Sequence, residues 1–138
     1  MKMLSFLMQD SLVQVSSSNT GDVDRDLIVS RLNYIKSQEN FKWVYSHKIH
    51  YLNIPIAFDI ETSSFYEGIA KKAIMYIWTC NVNGTTFIGR TWKQFIQLLD
   101  LMTEVFGLIK YNKRCLIYVH NLEYNTSTLY LLMVYWNV

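Results

Sequence analysis

The sequence predicts an α/β protein built on a mixed β-sheet, and three observations carry this prediction. An apolar run at residues 53–61 ends in acidic residues and has the character of a buried strand. Two further apolar runs flank Asn83-Gly84, the dipeptide most favoured in a tight hairpin turn. Apolar residues then recur at helical spacing from Phe95 to Phe106, and another short apolar run follows.

Length and composition favour one packed domain. A chain of 138 residues can bury a single core, and 51% hydrophobic with 17% charged residues excludes a disordered chain. The formal net charge of +2 is compatible with a nucleic-acid partner but does not argue for one. Cys80 and Cys115 lack zinc-site spacing, so we expect reduced, buried thiols and a cytoplasmic location. The apolar stretch at 3–8 is too short for a signal peptide or a membrane span, so no membrane partner is expected.

The amino-terminal region is predicted to contain a flexible leader and then a helix. Residues 11–20 are rich in Ser, Asn and Thr, so residues 1–20 are interpreted as the leader and 21–138 as the domain. Asp22 or Asp24 can cap the helix that follows. The side chains predicted to share its apolar face are Leu27, Ile28, Leu32 and Ile35, and those predicted to face solvent are Arg25, Arg31 and Lys36.

The central elements follow from turn and cap signals. The runs at 72–82 and 85–89 are predicted to form antiparallel strands. Thr91 offers an N-cap for the next helix, and Gly107 provides its natural end.

The last part of the chain predicts one more strand and one more helix. Residues 115–119 are a short apolar run, and 122–136 have apolar residues nearly all round a helix. Three consecutive strands, a helix, and then a strand able to lie parallel to the first match the opening half of a ribonuclease-H-like sheet. We therefore expect a ribonuclease-H-like mixed sheet with flanking helices, incomplete in this chain.

Asp59 and Glu61 are the residues that suggest chemistry. Side chains alternate along a strand, so both carboxylates should project from one face, with Cα atoms about 7 Å apart. Such a pair is costly to desolvate unless a cation neutralises it, which favours Mg²⁺ or Mn²⁺. Taken alone the pattern is weak, because acids at a strand end more often form a solvated edge.

Two segments together resemble a known family. Phe-Asp-Ile-Glu-Thr at 58–62 resembles the first exonuclease motif of protein-primed family B DNA polymerases of phages and linear plasmids. Tyr-Val-His-Asn-Leu-Glu-Tyr-Asn at 118–125 resembles their second motif, and residues 88–96 resemble the strand-to-helix junction between them. The motifs stand in the family's order, and the resemblance spans about 54–132.

The resemblance implies a 3′-5′ exonuclease, or proofreading, domain that acts in DNA replication. It implies that Asp59 and Glu61 are catalytic metal ligands in a site that holds two Mg²⁺ or Mn²⁺ ions in complete relatives. It implies that the 3′ end of single-stranded DNA is held by Thr62, Asn121 and Tyr124. Hydroxyl and amide groups can bond sugar and phosphate oxygens, and a tyrosine ring can stack on a base. The implied partners are single-stranded DNA and, for full-length relatives, a terminal protein.

His120 directly precedes Asn121 and has two interpretations. In the first, it orients the backbone or a phosphate; in the second, it is a structural histidine at a strand end whose hydrogen bonds are satisfied within the protein.

Departures from the family pattern lower the expected activity. Asn125 stands where the family has an acid, and the third motif, Tyr-x-x-x-Asp, would lie beyond Val138. We therefore expect a fragment of weak or no activity, from the cytoplasm of a host cell. One alternative is a non-catalytic remnant that binds single-stranded DNA. Another is a different ribonuclease-H-like nuclease whose remaining acids would come from Glu67, Asp100 or Glu104.

Overall fold

The computed structural model describes residues 12–18, 21–108 and 112–119. These residues form a mixed α/β structure, as predicted. Its elements, in chain order, are β1 (Leu12–Gln14), α1 (Arg25–Lys36), β2 (Trp43–Ser46), β3 (Ile49–Leu52), β4 (Ile56–Glu67), β5 (Ala70–Val82), β6 (Thr85–Gly89), α2 (Trp92–Phe106), β7 (Lys113–Cys115) and β8 (Tyr118–Val119). The helix predicted at 122–136 lies outside the described residues.

The main sheet has five strands in the order β1-β6-β5-β4-β8. Strand β5 is antiparallel to both β4 and β6, while β8 is parallel to β4 and β1 is parallel to β6. Among the described strands of this sheet, four therefore run in one direction and β5 runs in the other. Strands β1, β6 and β8 end at the same edge of the sheet, which we call the carboxyl edge, and β4 crosses this edge and continues beyond it.

The predicted hairpin joins β5 to β6. Asn83 and Gly84 both have positive φ, 52° and 95°, as a type I′ turn requires. The Asn81 side chain reinforces the turn, because its Oδ1 accepts a hydrogen bond from the Gly84 N–H at 3.0 Å. This turn fixes the register of the two strands.

Helix α2 begins and ends where predicted. The Thr91 hydroxyl oxygen accepts a hydrogen bond from the Gln94 N–H at 3.1 Å, and Gly107 ends the helix in the left-handed conformation with φ of 71°. The side chains that α2 buries against the sheet include Phe95, Leu98, Leu99, Met102 and Phe106.

Helix α1 is capped by Asp24, whose Oδ1 accepts a hydrogen bond from the Leu27 N–H. It buries Ile28, Leu32 and Ile35, as predicted. Leu27 was expected on the same face, but it is 36% exposed, because its first-turn position places it at the border of that face. Arg31 was expected to face solvent and is half-buried instead.

Both helices cover the same face of the main sheet. At its centre, the rings of Phe58 on β4 and Phe95 on α2 stack with centroids 4.3 Å apart, and Trp78 on β5 adjoins them. The Trp78 Nε1–H donates a hydrogen bond to the Thr91 carbonyl at 2.8 Å. The opposite face, which we call the open face, carries by strand alternation Ala57, Asp59, Glu61, Thr79, Asn81, Thr86 and Ile88.

The prediction of a flexible leader is wrong for residues 12–18. Strand β1 pairs with β6 over Leu12–Gln14, and Val13 and Val15 are buried in the core. The alternation of these two valines was the signal for a strand, but three residues are too few for it to outweigh the Ser-rich composition around them.

A second, three-stranded sheet was not predicted. Its order is β2-β3-β7, with β2 and β3 antiparallel and β7 parallel to β3. The predicted strand at 115–119 is therefore divided, because β7 joins this second sheet and β8 joins the main one. Within the described ranges, no helix combines the length and the apolar composition needed to cross a membrane.

Gly89 tests the packing of the aromatic centre. A Cβ at this position would overlap the Trp78 ring, which is fully buried. We expect Gly89→Ala to lower the free energy of unfolding by about 1–3 kcal/mol, as overpacking does, in urea unfolding followed by circular dichroism. Ser63→Ala, at an exposed position of β4, is the control and should stay within about 0.5 kcal/mol of the wild type. Equal stabilities of the two variants would contradict the contact.

The reactivity of the two cysteines provides a test of their burial in the core. Both are free and buried; burial raises the pKa of the Cys80 thiol to about 12 and also raises the pKa of Cys115, with a smaller contribution from the neighbouring Cys80. Because the thiolate is the reactive species, neither should react with an aromatic disulfide reagent at pH 8 in the folded protein. Both should react after unfolding in guanidinium chloride. A full equivalent of reaction in the folded protein would contradict this burial.

Candidate functional site

Asp59 and Glu61 lie on the open face of β4, near the carboxyl edge. Phe58 and Ile60 alternate with them and face the core, so the two carboxylates project away from the helices. Asp59 is half-buried and Glu61 is exposed. The apolar side of the strand thus holds the acids in place from beneath.

The described residues around the two acids do not compensate their negative charge. Asp59 Oδ1 accepts a hydrogen bond from the Ile60 N–H at 2.9 Å, and the cross-strand partners of the two acids on β5 are the neutral Thr79 and Ile77. Within the described part of the chain, neither carboxylate forms an ion pair. Carboxylate oxygens with free lone pairs on one face suit a divalent cation such as Mg²⁺ or Mn²⁺.

Strand β4 changes character directly after Glu61. The register with β5 shifts between Glu61 and Thr62, and from there the two strands continue to Glu67 and Ala70 as a two-stranded ribbon that is exposed over residues 63–72. We call residues 62–75 the ribbon. Thr62 is half-buried and, by alternation, lies on the face opposite to the acids. The structure therefore does not bring Thr62 onto the face that carries Asp59 and Glu61.

Strand β8 ends beside the acids. Tyr118 pairs with Ala57 and Val119 pairs with Phe58, one residue before Asp59. Val119 is the last residue that the structure describes. The predicted DNA-binding residues His120, Asn121 and Tyr124 lie outside the described residues, as does Asn125.

A third acidic ligand does not come from the described ranges. No group of three or more His, Cys, Asp or Glu side chains that could hold a metal occurs there. Asp100 and Glu104 belong to α2, on the covered side of the sheet, and Glu104 pairs with Arg25 at 3.0 Å. Glu67 pairs with Lys72 at the far end of the ribbon. These three acids therefore do not complete the site, to which the described residues contribute the two carboxylates of Asp59 and Glu61.

A cavity with Arg90 on its wall lies on the same side of the sheet and was not predicted as a site. It has a volume of about 410 Å³ and lies at the ends of β1 and β6. The signal available in the sequence was an arginine between a strand end at Gly89 and an N-cap at Thr91. Its serine neighbours could not be found in this way, because they come from the segment interpreted as a leader.

Comparison with protein-family models, with curated proteins and with solved structures finds no match to this chain.

Cation binding by the two acids can be tested without any assay of activity. A cation at tenfold excess over its Kd stabilises a folded protein by about 1.4 kcal/mol. We expect Mn²⁺ and Mg²⁺ to raise the melting temperature of the wild type and to leave Asp59→Asn/Glu61→Gln unchanged. The control is Glu39→Gln/Asp100→Asn, which removes the same charge from exposed positions elsewhere. An equal shift in all three proteins would show that the acids do not bind the cation.

Proposed function

We propose that this protein is the 3′-5′ exonuclease portion of a DNA polymerase of the protein-primed family B. It would remove nucleotides from single-stranded DNA ends during replication. The observation that carries the proposal is the position of Asp59 and Glu61 on one exposed face of a central strand, beside the end of β8. In this family's motifs, acids of the first segment and polar residues of the second act at one site.

The strand order supports the proposed ribonuclease-H-like classification. Strands β4, β5 and β6 form an antiparallel meander, and β8 lies parallel to β4 on its other side. This is the order expected for the first four strands of such a sheet. Strand β1 and the sheet β2-β3-β7 are additions to it.

Each residue of the proposed site has a role that its chemistry allows. The Asp59 and Glu61 carboxylates hold the cation, which when bound stabilises the negative charge of the phosphodiester as a Lewis acid. The Asn121 amide donates hydrogen bonds to sugar or phosphate oxygens, and the Tyr124 ring stacks on the terminal base. Asn125 carries no charge, so the proposed site has one carboxylate fewer than the family pattern. Since each 1.36 kcal/mol of lost stabilisation is tenfold in rate, activity should be low.

A second candidate function is binding of single-stranded DNA without cleavage. The specific observation in its favour is the absence, among the described residues, of any group of three metal-ligating side chains. Asn125 favours it as well. In this case Asn121 and Tyr124 hold the strand, and the two acids bind a cation too weakly for catalysis.

The direct test is degradation of a 5′-labelled single-stranded oligonucleotide in Mn²⁺ or Mg²⁺. The wild type should shorten the strand slowly from its 3′ end, and Asp59→Ala/Glu61→Ala should abolish this activity. Asn125→Asp should raise the rate at least tenfold, because it adds a carboxylate where the family has one. Asp100→Asn is the matched control for loss of an exposed acid and should keep the wild-type rate.

The outcomes separate the two functions. Shortening that persists in the double variant would overturn the assignment of Asp59 and Glu61. Undetectable shortening by the wild type and by Asn125→Asp would select the second function, provided that the wild type binds the oligonucleotide and Asn121→Ala/Tyr124→Ala does not. An oligonucleotide with a blocked 3′ end controls for the direction of cleavage.

A further inference from the structure

The cavity beside Arg90 forms where two parallel strands separate. The last backbone contact between them is the hydrogen bond from the Val15 N–H to the Ile88 carbonyl, at 2.9 Å. Beyond this hydrogen bond, the segment after β1 continues through the serines at 16–18. The segment after β6 passes through Gly89 and Arg90 into α2. The cavity lies in the crevice that this separation leaves beyond the carboxyl ends of the two strands.

Among the described residues, this cavity is rich in hydrogen-bond donors that have no acceptor. The Ser16 hydroxyl oxygen accepts from the Ser18 N–H at 3.2 Å, and the Ser18 hydroxyl oxygen accepts from the Gly21 N–H at 2.8 Å. Both serines line the cavity, yet in the described part of the chain neither hydroxyl proton has an acceptor. Ser16 is only 6% exposed. A buried hydroxyl whose oxygen is already bonded and whose proton is not favours a ligand that supplies an acceptor.

Gln94, which also lines the cavity, is by contrast fully used. Its Oε1 accepts from the Arg90 N–H at 2.8 Å, and its Nε2 donates to the Gly21 carbonyl at 2.9 Å. It therefore holds the walls of the cavity together, joining the start of α2 to the loop before α1. A preformed wall lowers the ordering cost of binding.

The fixed charge that the described residues bring to the cavity is positive. None of the acids among them contributes to its lining, and Arg90 is exposed with no carboxylate partner in that part of the chain. By contrast, Arg25, Lys72 and Lys93 each form an ion pair with a carboxylate. A planar guanidinium with adjacent hydroxyl donors is a set well suited to the oxygens of a phosphate group.

Apart from the Gln14 amide and the backbone of Gly89, the remaining lining is apolar and leaves room for more than a phosphate. Leu12, Ile77 and Ile88 form this part of the wall, and the volume of about 410 Å³ lies within the range of small-molecule sites. We propose that the cavity binds a nucleotide through its phosphate. The Arg90 guanidinium and the Ser16 and Ser18 hydroxyls donate hydrogen bonds to the phosphate oxygens, and the sugar or base lies against Ile77 and Ile88.

This site is separate from the acid pair, although the two adjoin. Ile77 lines the cavity and is the cross-strand partner of Glu61. Nucleotide binding here needs neither the acids nor a cation, so it goes beyond the proposed exonuclease activity and does not depend on it.

The test is calorimetric titration of the full chain with deoxyadenosine monophosphate in the presence of EDTA, which removes cation-mediated binding. One nucleotide per chain should bind, with deoxyadenosine and inorganic phosphate each at least tenfold weaker. Arg90→Gln should weaken binding of the nucleotide at least tenfold, whereas Lys42→Gln removes an equal charge from an exposed site outside the cavity and should leave it unchanged.

A second pair of variants separates the hydroxyl contact from general effects on folding. Ser16→Ala should weaken nucleotide binding severalfold, and Ser17→Ala, at the adjacent exposed position outside the lining, should not. Asp59→Asn/Glu61→Gln should bind the nucleotide as the wild type does, whatever the outcome of the nuclease assay. Equal affinities for the nucleotide and deoxyadenosine, or an unchanged affinity in Arg90→Gln, would overturn the phosphate site. Inorganic phosphate binding as tightly as the nucleotide would overturn the assignment to a nucleotide.

Discussion

The antiparallel pairing of β4 with β5 is the constraint on which the rest of the structure depends. It runs from the Ile56–Val82 pair, beside the Asn83-Gly84 turn, to the Glu67–Ala70 pair. Because side chains alternate, this register decides which face each residue occupies, and a slip by one residue would exchange the faces. Asp59 would then enter the aromatic centre and Phe58 would enter water. The same register therefore accounts both for the burial of Phe58 and for the position of the two acids on the open face.

Local chemistry explains which elements could be predicted. Both ends of α2 were found because Thr91 and Gly107 have specific roles at helix ends, and the β5-β6 hairpin was found because Asn-Gly satisfies a turn with two positive φ angles. The β2-β3 hairpin makes its turn through His47 and Lys48, which also have positive φ. His-Lys is not a dipeptide that predicts such a turn from sequence. Its strands were therefore not recognised.

The candidate functional residues likewise fall into two groups, those that could be predicted from the sequence and those that could not. The shared face of Asp59 and Glu61 follows from two-residue spacing on one strand, so the sequence contained it. The cavity depends on contacts between distant parts of the chain, such as the bond from Gln94 Nε2 to the Gly21 carbonyl. Contacts of that kind leave no periodic pattern in the sequence. Ser16 and Ser18, which line the cavity, lie in a segment whose Ser-rich composition predicted a flexible leader rather than a strand. Tertiary contacts, rather than residue types, create this site.

The ribbon gives one strand two very different local stabilities. Up to Glu61, β4 is paired on both sides or packed on the core, whereas Phe65 and Tyr66 near its tip are exposed and have β5 as their only partner strand among the described residues. A two-stranded hairpin without a packed face is marginally stable in water. Opening of the tip therefore costs little free energy, while the same strand at Phe58 opens only when the whole domain unfolds. The backbone beside the acids thus stands at the boundary between a rigid sheet and a segment that can separate from it.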